Sequence, residues 1–156
     1  MKYNITNMNS DILNEIISWK YEGEYSIYNM DSYEKLVERN SSIIKEENKN
    51  NYFCYFNNNI LIAYTNLVMK KNGDVFLGIG IAPVYCGKGL GKDILSHTIR
   101  VAKERYPNSK ITLQVRSWNK RAIKCYQKVG FKVTGKETIK DHSGVDTEFV
   151  FMEYKI

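Results

Sequence analysis

Hydrophobic and polar residues follow two different spacings along this chain, and each spacing predicts one kind of secondary structure. Three runs rich in aromatic and β-branched residues are separated by turn-forming residues and predict three consecutive strands, at 51–56, 60–69 and 75–82. Apolar residues three and four apart predict helices at 10–19, from Asp31 onward, at 89–105 and at 117–129. A first strand is predicted at 2–6, another at 111–115, and a closing hairpin at 131–139 and 147–155. The order β-α-α-β-β-β-α-β-α-β-β predicts an α/β sandwich with a central, mostly antiparallel mixed sheet.

Residues with capping side chains indicate where several of the helices begin and end. Asn9 or Ser10 is expected to cap the first helix, and Asp31 with Glu34 three residues later fits a capping box at the start of the second. Gly130 is expected to end the last helix, because glycine readily adopts the left-handed conformation of a C-cap.

Composition and charge narrow the class of protein. With 156 residues, 43% of them hydrophobic, the chain is predicted to form one domain spanning 1–156. No apolar run approaches the roughly 20 residues that span a bilayer, and the amino terminus has no signal-peptide core, so a soluble, cytoplasmic protein is predicted. The net charge of +6 suits an anionic ligand, but Lys and Arg are spread along the chain without a nucleic-acid-binding motif. No nucleic-acid or membrane partner is therefore expected.

Cysteine and histidine, the residue types that most often bind transition metals, are scattered along this sequence. Cys54, Cys86 and Cys125 lie far apart and form no CxxC pair, which argues against both a disulfide framework and a zinc site. His97 and His142 have no neighbouring ligand-type partner. No metal is predicted.

A glycine-rich stretch between the strand at 75–82 and the following helix is the strongest candidate binding element. Glycines at 87, 89 and 91 allow a tight turn that brings backbone N–H groups against a ligand, and the helix start adds partial positive charge. The ATP-type P-loop does not fit, because Cys86 stands where its first Gly belongs and Asp93 where its hydroxyl belongs. The dinucleotide fingerprint does not fit either, because Lys92 stands at its last Gly. The stretch is predicted to bind another anion.

Two segments together resemble a known family. The glycine stretch reads Cys86-Gly87-Lys88-Gly89-Leu90-Gly91, similar to the Arg/Gln-x-x-Gly-x-Gly/Ala pyrophosphate loop of the GCN5-related N-acetyltransferase (GNAT) family. Downstream, Asn119, Ala122, Tyr126 and Gly130-Phe131 resemble the second motif of that family at the expected spacing. The resemblance covers the whole chain and departs from the pattern at Cys86, where Arg or Gln is usual.

The resemblance implies roles for the residues that match it. Backbone groups of Ile79, Gly80 and Ile81 would hold the pantetheine arm of acetyl-CoA between splayed strands and polarise the thioester carbonyl. Binding of the CoA phosphates is expected from Cys86, Gly87, Lys88, Gly89, Leu90, Gly91 and Lys92. Asn119 would bond the CoA arm, cap the helix, or do both, and Tyr126 would protonate the departing thiolate or simply pack on the sheet. Cys125 has no His base nearby and is expected to be inert.

The acceptor and the general base are less well specified. The segment at 20–29 has no clear periodicity and is predicted to be a loop, which in the family lines the acceptor side of the cleft. Glu22, Glu24 and Tyr25 would then bind a small-molecule amine or a peptide amino group, although a solvated acidic turn is an equal alternative. The base is left open among Asp74, Glu22, Glu24 and water with backbone carbonyls, and homodimerisation is left open as well.

The predicted function is that of an acetyl-CoA-dependent N-acetyltransferase, in which the acceptor amine attacks the thioester directly. The alternatives are a non-catalytic acyl-CoA sensor, which would need no acid at Tyr126, and a basic nucleic-acid-associated protein.

Overall fold

The computed structural model describes residues 2–154 and divides into two compact units. Of the described residues, the first unit contains those up to 66 and 79–88, and the second contains 67–78 and those from 89 onward. The helices are α1 (Ser10–Ser18), α2 (Tyr33–Glu38), α3 (Gly91–Arg105) and α4 (Lys120–Val129). The strands are β1 (Asn4–Thr6), β2 (Tyr52–Asn57), β3 (Ile60–Met69), β4 (Val75–Ile81), β5 (Ile111–Arg116), β6 (Phe131–Lys140) and β7 (Asp146–Tyr154).

The strands hydrogen-bond in the order β1-β2-β3-β4-β5-β7-β6, so the predicted mostly antiparallel mixed sheet is confirmed. β1 pairs antiparallel with β2, β2 with β3, and β7 with both β5 and β6, whereas β4 and β5 run parallel. The order of helices and strands agrees with the predicted order, with short 3-10 helices between some of them. The predicted end of the last strand at Lys155 lies outside the described residues.

The first unit is built on the apolar face of α1. Ile12, Leu13 and Ile16 are buried there, three and four residues apart as the sequence predicts. They belong to a core with Leu36 of α2 and residues of β2 and β3. The β2–β3 turn uses Asn58 and Asn59 at φ of 50° and 66°, the left-handed conformation that a two-residue hairpin turn requires.

The second unit contains α3, α4 and the carboxyl-terminal strands. α3 contacts α4 and buries Ile94, Leu95, Thr98, Ile99 and Ala102. Buried side chains also come from alternate positions of β5, where Ile111, Leu113 and Val115 are at most 6% exposed. α4 ends at Gly130, whose φ of 116° confirms the predicted left-handed C-cap.

Several predicted helix boundaries need correction. α2 is capped by Ser32, whose Oγ accepts from the Lys35 N–H at 3.4 Å, while Asp31 instead pairs with Arg39 at 3.0 Å. The segment predicted as a loop contains a 3-10 helix at Gly23–Tyr28. α3 begins at Gly91, two residues later than predicted, because Gly89 has a φ of 78° that a right-handed helix cannot include.

None of the helices within residues 2–154 is long and apolar enough to cross a membrane. The prediction of a single domain over 1–156 and that of a cytoplasmic location stay predictions.

Candidate active site

The carboxyl end of β4 in the first unit has side chains from distant parts of the chain packed around its backbone. The Tyr21 phenol donates a hydrogen bond to the Ile81 carbonyl over 2.6 Å. The Tyr64 ring lies against Gly80, so that a Cβ added to this glycine would meet Tyr64 Cε1 at 2.5 Å. Gly80 is therefore required by close packing, since a methyl group there would displace the ring.

The Cys86 side chain lies against the end of β4. Its Sγ donates weakly to the carbonyls of Ile81 at 3.5 Å and Ala82 at 3.6 Å. The thiol is directed back onto the end of β4. Cys86 therefore contributes only its backbone to the following turn, and its side chain adds no charge there.

The glycine stretch has the backbone conformation that its composition predicts. In the first unit Gly87 has a φ of 74°, and in the second unit Gly89 has a φ of 78°. A Cβ at Gly89 would meet no atom within 4 Å, so glycine is needed there for its backbone conformation and not for space.

The amino end of α3 has free donor capacity in its backbone. Leu90 stands at the N-cap and makes no capping bond with its side chain. The first N–H groups of a helix have no partner within the helix, and they attract negative charge together with the helix dipole. Lys92 lies in the first turn with its side chain exposed. This helix start in the second unit can hold a phosphate group.

β4 and β5 separate early in the second unit. Among the described residues their parallel ladder has two pairs, Val75 with Ile111 and Phe76 with Thr112, and it does not continue to Leu77 and Gly78 of the same unit. The parting agrees with the splayed strands expected from the family resemblance.

Asn119 lies at the N-cap of α4, and Tyr126 lies within the same helix. Asn119 is 7% exposed and its Oδ1 accepts from the Ala122 N–H at 3.2 Å, so the capping interpretation is confirmed. Tyr126 is partly exposed, and its ring packs edge-on against Phe131 with centroids 6.1 Å apart. Burial raises the pKa of the neighbouring Cys125 thiol, which makes this cysteine a poorer nucleophile.

The predicted acceptor residues lie in and beside the 3-10 helix of the first unit. Glu22 and Glu24 are exposed, and Tyr25 is partly exposed. Tyr21, next to Glu22, is the residue that bonds Ile81, so this segment is tied to the end of β4. The contact joins residues 60 apart in sequence, and no local pattern could have revealed it.

Asp74 lies outside the segment whose backbone is proposed to react. It directly precedes β4 in the second unit, whereas residues 79–81 belong to the first unit. Its side chain accepts from Asn72 and lines an open groove of about 620 Å³ that contains none of the residues predicted to bind acetyl-CoA. Asp74 stays one of the candidate bases, together with Glu22, Glu24 and water.

The fold is that of a mixed α/β protein, and the uncapped start of α3 is a place where an anion could bind. The sequence profile of the acetyltransferase (GNAT) family matches residues 11–131, and the chain belongs to that family.

Two curated relatives match part of the chain. The peptidyl-lysine N-acetyltransferase YjaB of Escherichia coli is 36% identical over 73 residues, which are 47% of this chain and 46% of that protein. The spermine/spermidine N(1)-acetyltransferase of Bacillus subtilis is 40% identical over 67 residues, 42% of this chain and 44% of that protein. The matched part of the chain thus spans a little less than half the length of these relatives.

Solved structures match the fold over nearly the whole chain. A chimera of the spermidine N-acetyltransferase SpeG from Vibrio cholerae and hSSAT superposes with a TM-score of 0.79 at 20% identity, covering 99% of this chain and 95% of that one. The Naa50 protein of Arabidopsis thaliana, solved with a bisubstrate analogue of CoA, gives a TM-score of 0.70 at 17% identity and covers 100% of both chains.

Proposed function

We propose that this protein transfers the acetyl group of acetyl-CoA to a primary amine. The observation that carries the proposal is the uncapped start of α3 at Gly91, two residues after Gly89, which has a φ of 78°. Its backbone N–H groups would bind the pyrophosphate of CoA, assisted by the charges of Lys88 and Lys92. Membership of an acetyltransferase family supports the same ligand.

The reaction would proceed by direct attack of the amine on the thioester. The amine nitrogen forms a bond to the acetyl carbon, the carbon–sulfur bond breaks, and the leaving thiolate takes a proton from Tyr126. Backbone N–H groups of the 79–81 segment would stabilise the oxyanion that forms on the carbonyl oxygen. The attacking nitrogen gives its extra proton to the general base, which is not assigned to a residue, and a proton from solvent restores the Tyr126 phenol.

The acceptor would be a primary amine near the tyrosine-rich segment that follows α1. The names of the curated relatives refer to peptidyl lysine and to spermine and spermidine, all of which present primary amines. The carboxylates of Glu22 and Glu24 suit a cationic acceptor, and Tyr25 offers a ring face for the same cation.

Release of CoA thiol from acetyl-CoA tests the proposal across a panel of polyamines, lysine peptides and amino acids. Tyr126→Phe removes the proposed proton donor, and its kcat should fall about 100-fold because general acid catalysis contributes on that order. The KM for acetyl-CoA should stay close to that of the wild type. Tyr106→Phe is the matched control, since this tyrosine is also partly exposed but lies at the C-cap of α3.

Equal losses of kcat in the two variants would remove Tyr126 from the mechanism. If no amine releases thiol while acetyl-CoA still raises the melting temperature, either the acceptor is absent from the panel or the protein is an acyl-CoA sensor. If acetyl-CoA does not change the melting temperature either, the proposed function fails.

A further inference from the structure

The Tyr64 side chain fills the space that Gly80 leaves on one face of β4. The atoms of Tyr64 closest to a Cβ built on Gly80 are Cε1 at 2.5 Å, Cζ at 2.9 Å and the hydroxyl oxygen at 3.1 Å. The hydroxyl end of the ring, and not only its edge, therefore lies beside the backbone of Gly80.

This hydroxyl has no hydrogen-bond partner within residues 2–154, and it is not sealed from solvent. Tyr64 makes ring contacts only, whereas Tyr3 has the one side-chain oxygen that is both completely buried and without a partner among the described residues. A phenol that is largely buried yet unpaired loses its hydration without compensation. Such a group is poised to bond a ligand that enters beside it.

The surroundings of the hydroxyl are aromatic. The Trp19 ring stacks on Tyr64 with centroids 6.2 Å apart, and Tyr52 packs on it at 6.4 Å. The Tyr52 hydroxyl is already paired with Ser42 at 2.9 Å. In the part of the first unit that the structure describes, no Lys or Arg side chain is buried that could pair with a carboxylate of a ligand.

We propose that the Tyr64 hydroxyl binds the acceptor amine, and that the amine is carried on an aliphatic chain which packs against Trp19. This inference rests on the proposed function, because the backbone of Gly80 belongs to the 79–81 segment assigned to the thioester. An amine N–H that donates to the Tyr64 oxygen would place its nitrogen beside that backbone, in reach of the acetyl carbon. An α-amino acid fits less well, since its carboxylate would enter an aromatic site without a buried cation.

Tyr64 acts in this role as a neutral hydrogen-bond acceptor. Burial raises its pKa well above that of an ordinary phenol, and the neighbouring Tyr52 and Cys54 act in the same direction. The phenol stays protonated at any pH at which amines are acetylated, so it orients the amine and does not remove its proton.

The test compares the variants Tyr64→Phe and Tyr52→Phe. The acceptors are n-butylamine, spermidine and Nα-acetyl-lysine amide, and alanine serves as the amine that carries a carboxylate. Tyr64→Phe keeps the ring and should raise the acceptor KM about tenfold, the effect of one hydrogen bond. The acetyl-CoA KM and the melting temperature should not fall, since the lost hydroxyl had no partner in the free protein. Tyr52→Phe loses its bond to Ser42 and should lower the melting temperature while leaving the acceptor KM unchanged.

Two results would overturn the inference while leaving the proposed function intact. One is an active Tyr64→Phe enzyme with the acceptor KM of the wild type. The other is acetylation of alanine as efficient as that of n-butylamine. Absence of thiol release by the wild type with every amine would instead overturn the proposed function, and this inference with it.

Discussion

At the scale of single residues, Asp141 is the most heavily bonded carboxylate of the described chain. Its Oδ1 accepts from the N–H groups of Ser143 and Val145 and from the Ser143 hydroxyl, and its Oδ2 accepts from Arg116 at 3.2 Å. The Arg116 and Asp141 side chains are 10% and 3% exposed. The hydrogen bonds from Ser143 and Val145, followed by that from Arg116, hold the pKa of Asp141 well below its usual range. One carboxylate thus fixes the turn between β6 and β7 and joins it to the end of β5.

Replacing Asp141 by Asn should therefore lower the melting temperature in a pH-dependent way. Because the folded-state pKa is depressed, the stabilisation is present above the unfolded pKa near 3.9 and is lost as the pH falls below it. Thermal unfolding should show a clear deficit for Asp141→Asn at pH 7 that shrinks as the pH falls below about 4. Asp146→Asn removes an exposed ion pair with Lys140, and the melting temperature should hardly change. A pH-independent difference between Asp141→Asn and the wild type would contradict this account.

At the scale of elements, the turn before α3 gives a prediction that separates folding from binding. Gly89 and Gly73 both have positive φ, 78° and 91°, and a Cβ at either would meet nothing within 4 Å. Alanine at each should cost about 1 to 2 kcal/mol through backbone strain alone. Only Gly89→Ala should also raise the KM for acetyl-CoA, because only Gly89 precedes the helix start proposed to bind the pyrophosphate.

Chemical denaturation and steady-state kinetics on the two glycine variants check this prediction. Equal acetyl-CoA KM values in Gly89→Ala and Gly73→Ala would show that the turn before α3 does not bind the cofactor.

The strand β4 gives a second prediction at this scale. Gly80→Ala should push the Tyr64 ring away and raise the acceptor KM, because the new methyl group would overlap Cε1. In a Tyr64→Ala background the same glycine change should have almost no further effect, since the space is then empty. A double-mutant cycle on stability and acceptor KM measures this coupling, and additive effects would argue against the packing described here.

The elements themselves could largely be predicted from the sequence, because most of them are encoded locally. The 3.6-residue period of α1, the Asn-rich turn of the β2–β3 hairpin and the glycine after α4 each determine their own conformation. The start of α2 was assigned wrongly because Asp31 and Ser32 are both good capping residues, and only the pairing of Asp31 with Arg39 distinguishes them. The 3-10 helix at Gly23–Tyr28 has too few turns to display a period.

The candidate site was predictable only in part. The glycine turn and Tyr126 belong to contiguous motifs, whereas the contacts of Tyr21 with Ile81 and of Tyr64 with Gly80 join residues far apart in sequence. Such contacts depend on how β3, β4 and the segment after α1 pack in the first unit. The sequence does not identify a general base, because the candidate carboxylates belong to no contiguous motif.

At the scale of the whole molecule, the proposed roles are distributed over both compact units. The end of β4 and the acceptor residues lie in the first unit, and the helix start, Asn119 and Tyr126 lie in the second. The net charge of +6 attracts an anionic cofactor to the protein by long-range electrostatics. The proposed acetyl transfer assigns a role to residues of each unit.

The most direct measurement of this claim follows carbon-13 from labelled acetyl-CoA into amine products by mass spectrometry. The account predicts that the label appears on the nitrogen of a primary alkylamine or polyamine, and that Tyr126→Phe forms the same product about 100-fold more slowly. Label that remains on CoA, with every amine unmodified, would contradict the account.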